Sequence, residues 1–204
     1  MPTPRIGNLD FAKMAKLFSA ALGEFSKHDF GSASYNQIIK SSGLSKGTLY
    51  YYFTSKEDIY LTLIQHSTTD LKTKLAQLTV PVSTKEDFIL TSHNLFGCLV
   101  DFFHSKPGFA KFLNRVFAEA TSSEHPAFEL TKSLEEWLSR HIESGQKLGA
   151  VRTDIPKSLL NKLTWELVVQ ITDHILKTRE DSDLMSGAKQ AALYFDVINR
   201  LIQP

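Results

Sequence analysis

Residues Ser34 to Lys56, SYNQIIKSSGLSKGTLYYYFTSK, constrain the fold of this chain more than any other stretch. Ser34 is a good N-cap, and Gln37 three residues on completes a capping box. Ile38 and Ile39 supply the apolar side of a short helix. Gly43 takes the left-handed conformation that ends it. Leu44 anchors the turn, and Ser45 caps a second helix over Lys46–Tyr52. Leu49 and Phe53 stand four apart and share the face that would fix this helix to a small core. Ser55 and Asp58 form a second capping box, which opens a long helix. The pattern predicts two short helices joined by a tight turn, followed at once by a third.

A helix-turn-helix places the N-terminal end of its second helix against base edges in the major groove. The residue types around Lys46 suit that task. Free amides at a helix N-terminus attract phosphate. Lysine adds charge, and threonine and tyrosine hydroxyls donate to phosphate oxygens. Gly47 lets the backbone come close to a base edge. Spacing alone leaves a second reading open, a compact helical hairpin whose tyrosines are half-buried core.

The run Gly43-Leu44-Ser45-Lys46-Gly47-Thr48-Leu49-Tyr50-Tyr51-Tyr52-Phe53, followed by Ser55-Lys56-Glu57-Asp58, closely resembles the DNA-binding signature of TetR-family transcriptional regulators. Upstream, Leu17 to Phe25 resembles the first helix of that family. The match covers about the first third of the chain. The rest is similar only in length and helical pattern. The resemblance implies that Tyr35, Asn36, Lys46, Gly47, Thr48, Tyr51 and Tyr52 face DNA. It places Tyr50 and Lys56 on the phosphate backbone and puts Leu49, Phe53 and Phe25 in the core. The family usually has glycine where this chain has Asp29. Aspartate tolerates the left-handed conformation better than most residues, so a local adjustment is expected there. Phe30 is expected to plug the core between the first three helices.

Charge does not make the case for DNA. Formal net charge is +1, and the first sixty residues hold seven Lys/Arg against five Asp/Glu. Binding would have to rest on placed phosphate contacts, doubled by a dimer. Composition excludes other classes. The single Cys98 precludes an internal disulfide framework and fits a reducing cytoplasm. No apolar run approaches a membrane span, and MPTPRIGNLD lacks the features of a secretory signal. There is no CxxC or HExxH, so no metal and no cofactor is expected. No nucleophile–base order or phosphate-cradling glycine loop supports an enzyme. A helical protein-binding module stays as a rival, favoured by the near-neutral charge and opposed by the intact SKGTLYYYF run.

In chain order, residues 1 to 8 read as a loose arm carrying Arg5. Leu9 to about Lys27 is predicted helical, with Met14, Leu17, Phe18, Ala21, Leu22 and Phe25 on one face. A long helix follows from Lys56 to about Leu78, interrupted in pattern at Thr68 and Thr69, with Pro81 marking the break after it. Ser83 and Glu86 make a third capping box for a helix to about Ser105. Lys106-Pro107-Gly108 is a turn before a short helix. Helices are predicted over Ala127–Leu148, from Ile155-Pro156 to about Thr178, and over Leu184–Ile202. Gly149–Asp154 joins two of them, and 179–183 is a charged break.

The expected fold is all-α. A three-helix helix-turn-helix DNA-binding domain, residues 1–55, is joined by a long helix to a helical ligand-binding and dimerisation domain, residues 56–204. The last two helices are apolar over more than one stripe and need more than one cover. A second copy packed through residues 156–203 would supply it, giving a homodimer on a palindromic operator. A monomer with these helices at its centre is the alternative. The middle helices are dense in aromatics with scattered polar groups, a composition that suits a small organic effector or an ordinary core. Phe96, Phe103, Phe112, Phe117, Trp137, His141 and Trp165 are the candidate lining. The resemblance implies an effector site in this domain, and repression as the mode of regulation.

Overall fold

The computed structural model describes residues 10–78, 82–178 and 187–204 of the chain. These residues form nine helices and no strand: α1 Phe11–Phe25, α2 Tyr35–Ser42, α3 Lys46–Tyr52, α4 Lys56–Leu78, α5 Lys85–Ser105, α6 Pro107–Glu119, α7 Phe128–Lys147, α8 Lys157–Lys177 and α9 Gly187–Ile202. The all-α expectation holds. The arm with Arg5, the helix start at Leu9, the break at Pro81, the charged break at 179–183 and the helix start at Leu184 lie outside the described residues.

The third capping box is shifted by one residue. Thr84, not Ser83, caps α5, and its Oγ1 accepts from Asp87 N at 3.1 Å. Two hydroxyl residues stand side by side there, each with an acid three positions on. Either fits the capping rule locally. Pro107 proves to be the first residue of α6 and not part of a preceding turn. Proline fits there because the first turn has no intrahelical use for its missing N–H.

The chain divides into two compact units, one within Met1–Thr69 and Lys111–Phe128, the other within Asp70–Ala110 and Glu129–Pro204. In the first, α1 buries Leu17, Phe18, Ala21 and Phe25, as its periodicity predicts. Leu49 and Phe53 are buried, as are Ile38, Ile59 and Leu63. Each such side chain contributes about 1.5–3 kcal/mol by leaving water. Ser67, Thr68 and Thr69 donate their hydroxyls to carbonyls four residues back. That bonding lets α4 bury Ser67 and Thr68 without an unmet donor.

An aromatic cluster completes this unit. The Tyr60 ring lies 4.9 Å from Phe25, 4.9 Å from Phe30, 5.3 Å from Phe112 and 5.8 Å from His125, centroid to centroid. Phe30 is half-buried and packs on Tyr60 and His125, where plugging the core between the first three helices was expected. In the second unit, α5 packs against α8 and α9. Phe88, Phe96, Val100, Phe102 and Phe103 of α5 are buried. After α7, Gly149 adopts φ +67°. Gln146 Nε2 then donates to Arg152 O, and Arg152 N donates to Ile202 O at 2.7 Å, tying the connection to the end of α9.

Two histidines are held inside these units. His125 Nδ1 accepts from Ala127 N at 3.2 Å, while its Nε2 is buried without a hydrogen-bond partner. The His141 ring stacks between Phe88 and Trp137, with Nε2 2.8 Å from Ser92 Oγ. The Ser92 hydroxyl donates to Phe88 O, so Nε2 is the donor to Ser92. Burial pushes both imidazoles below their ordinary 6.5. A histidine with a depressed folded pKa supports the fold fully above the unfolded value, and this support is lost as pH falls through 6.5. Glu119, whose carboxyl burial pushes above 4.5, acts in the opposite sense at the lower end of that window. The urea midpoint is therefore expected to be lower at pH 5 than at pH 7.5. His125→Gln combined with His141→Gln should shrink the difference. A wild-type midpoint that is flat over this range would count against it.

Candidate nucleic-acid interface

The α2–turn–α3 segment forms as its sequence requires. Gln37 N donates to Ser34 Oγ at 3.2 Å. The reciprocal half of this capping box comes from elsewhere: Ser34 N donates to Glu24 Oε1 of α1 at 2.8 Å, and the Gln37 amide turns to Ser41. Gly43 closes α2 at φ +67°, as predicted. Ser45 Oγ accepts from Thr48 N at 3.0 Å and lies 2.8 Å from Thr48 Oγ1. Asp58 N donates to Ser55 Oγ, while the Asp58 carboxylate accepts from the Thr54 amide and hydroxyl.

These caps leave α3 with one buried face and one open face. Leu49 is 1 % exposed and Phe53 0 %, whereas Tyr50 and Tyr51 are 47 % and 50 % exposed. Lys46 and Gly47 are exposed, and Thr48 and Tyr52 are half-buried. The Lys46 ammonium sits 5.8 Å from the centre of the Tyr50 ring, which Tyr35 meets edge-on at 5.3 Å. Tyr51 and Tyr52 meet edge-on at 4.9 Å. A cation and several phenol hydroxyls thus share the outer side of a capped helix, an arrangement able to donate to phosphates and base edges.

Other residues of the candidate set are placed differently. Asn36 is exposed at the start of α2. The Tyr35 hydroxyl donates to Phe53 O at 3.4 Å, and burial pushes its pKa up to about 12. Tyr35 therefore ties α2 to the end of α3. Lys56, expected on the phosphate backbone, has its ammonium 3.0 Å from Gly31 O and 2.8 Å from Ala33 O, and 4.7 Å from the centre of the Phe30 ring. Asp29 is not left-handed, since no non-glycine residue described has positive φ. Its carboxylate instead accepts from Ser32 N at 2.7 Å, a bond that holds the carboxyl below the usual range. Sequence reasoning missed Glu24. Its target lies ten residues away, so no local spacing marks it.

The seven candidate lining residues fall into different units. Phe112 is fully buried in the first unit, with its ring against Tyr60 and Phe25. Phe117 is half-buried there. Phe96 and Phe103 are buried in the second unit, where Trp165 is half-buried. Trp137 is exposed there and stacked on the half-buried His141. Cys98 is half-buried on α5, and burial pushes its pKa up. No group of residues suited to hold a metal occurs among those described.

Residues 17–63 match the family described as bacterial regulatory proteins, tetR family. YdgC, an HTH-type transcriptional regulator of Bacillus subtilis (strain 168), is 28% identical over 198 residues, covering 92% of this chain and 89% of its own. A TetR family transcriptional regulator from Chloroflexus aurantiacus J-10-FL shares the fold at a TM-score of 0.73 and 22% identity, over 100% of this chain and 99% of that one. The transcriptional regulator FadR from Bacillus subtilis, solved in complex with stearoyl-CoA, shares it at 0.64 and 14% identity, over 91% and 97%.

Proposed function

We propose that this chain, whose residues 17–63 match the TetR family of transcriptional regulators, binds a palindromic DNA operator as a homodimer in the cytoplasm, represses transcription there, and is released by a small organic effector. The family is one of DNA-binding regulators, not of enzymes. The observation that carries the reading is the open face of α3. Lys46, Gly47, Tyr50 and Tyr51 stand exposed on a helix whose N-terminus is capped by Ser45 and whose other face is buried through Leu49. Thr48 and Tyr52 of the same helix are half-buried, Tyr35 meets the Tyr50 ring edge-on, and Asn36 is exposed at the start of α2. We assign DNA reading to residues 1–55 and effector binding and dimerisation to residues 56–204.

Dimerisation through residues 156–203 is supported by apolar side chains left in the open on both last helices. Leu159 and Leu163 of α8, and Leu193 and Val197 of α9, are each more than 40 % exposed. Each pair is spaced four apart and so shares a helix face. Two protomers joined there would present two copies of α3 to a site with two-fold symmetry. The effector would be a molecule with a substantial apolar part, enclosed by Phe96, Phe103, Trp137, His141 and Trp165 of the second unit; FadR, which shares the fold, was solved with stearoyl-CoA. Binding that favours one arrangement of the dimer shifts its population and with it operator affinity. Helix α4, which supplies residues to both units, would carry the coupling. No described helix is long and apolar enough to cross a membrane.

The test is capture of genomic fragments by the purified chain across a salt series. Enrichment of a short palindrome is expected, weakening steeply as salt rises. Lys46→Ala should weaken binding and flatten the salt dependence by about 1.8 in log–log slope for a dimer, from roughly 0.9 per phosphate released. An unaltered slope would take Lys46 off the phosphates, and absence of any enrichment at low salt would defeat the reading.

A further inference from the structure

Lys56 is the first residue of α4, where a positive charge opposes the helix dipole. Its compensation comes from the turn between α1 and α2. The ammonium is held by two carbonyls of that turn, Gly31 O at 3.0 Å and Ala33 O at 2.8 Å, and lies against the Phe30 ring at 4.7 Å. Two of its three donors are thereby spent on the backbone. The same turn is held from within by Asp29, whose carboxylate accepts from Ser32 N and whose carbonyl accepts from Ala33 N. From α1, Glu24 holds Ser34 N. Ser34 is the N-cap of α2, the next residue is Tyr35, and Tyr35 bonds to Phe53 O at the end of α3 and packs on Tyr50. A continuous series of contacts therefore runs from the Lys56 ammonium to the outer face of α3.

We propose that Lys56 is a positioning residue for operator binding: its ammonium fixes the 29–34 turn, and through it the presentation of α2 and α3, and does not meet a phosphate. The proposal rests on the operator-binding reading above. It assigns Lys56 and Lys46 opposite duties although both are lysines of the same short unit. Lys46 is exposed and lies over a tyrosine on the open face, whereas Lys56 is half-buried and faces inward.

Two measurements test it. The first is operator affinity across a salt series for wild type, Lys56→Met and Lys56→Gln. Loss of the clamp in Lys56→Met should weaken binding about tenfold, with the wild-type salt slope retained. Lys56→Gln, equally uncharged but able to donate to a carbonyl, should recover part of the loss. The second uses the wild-type protein, so it does not depend on a variant folding. Acetic anhydride labelling, followed by peptide mass spectrometry, should modify Lys46 faster than Lys56 in the free protein. Operator DNA should then protect Lys46 and leave the Lys56 rate unchanged.

A slope reduced by about 1.8 in both variants, or DNA protection of Lys56 equal to that of Lys46, overturns the proposal. If wild-type protein binds no duplex at low salt, the operator reading itself fails. That outcome is distinct, because it is seen before any substitution at Lys56.

Discussion

Replacing Phe112 with alanine should destabilise the protein by about 3–5 kcal/mol, the cost of emptying a large buried aromatic site. The side chain is fully buried on α6, 5.3 Å from Tyr60 and 6.1 Å from Phe25, centroid to centroid. Its neighbours cannot close the space easily. Tyr60 and Phe25 are themselves buried and meet edge-on. The void would also lie beside Tyr60, whose hydroxyl burial already pushes to a higher pKa. Urea unfolding is the measurement, with Phe112→Leu as a milder comparison. A loss under about 1 kcal/mol, well short of a core truncation, together with an altered effector response, would return Phe112 to the pocket lining suggested by its position in the sequence.

Gly145→Ala should destabilise by about 1–3 kcal/mol, the range for overpacking a filled core. A Cβ built on Gly145 would stand 2.4 Å from Val151 Cγ2 and 2.5 Å from Phe88 Cζ. Neither neighbour yields readily. Val151 is β-branched and buried, and Phe88 is buried with its ring stacked on His141. Any shift of Phe88 passes to the His141–Trp137 stack, so the tryptophan emission of the folded protein should change as well. Wild-type stability combined with unchanged emission would mean that α7 can move away from Phe88 without loss. Glycine is required here for space and not for conformation, since positive φ among the described residues occurs at Gly43 and Gly149.

Much of the first unit was legible because its determinants are neighbours in sequence. A hydroxyl at an N-cap and an amide three residues on must meet if a helix starts there, and Ser34, Ser45 and Ser55 all behave so. Gly43 ends α2 for an equally local reason. Periodicity also found Leu17, Phe25, Leu49 and Phe53. It did less well where two local solutions were equivalent, as at Ser83 and Thr84. It had no means of finding Glu24 or the inward turn of Lys56, whose partners lie ten and more than twenty residues away.

The aromatics mark the same boundary. Helical spacing says that Phe96, Phe103, Phe112 and Phe117 each lie on an apolar stripe, but not which core receives the stripe. Phe112 went to the unit that carries α3, and Phe103 to the other. Trp137 joined neither core and stacks on His141 at the surface. The sequence by itself determined helix identity, the caps and the apolar face of α3, because these follow from hydrogen bonds and contacts within one or two turns. Only the tertiary structure decided which lysine faces outward, which phenylalanine fills which core and which leucines stay uncovered. Those outcomes depend on packing between segments far apart in the chain, where many pairings satisfy the same local pattern and the competition for buried volume selects one.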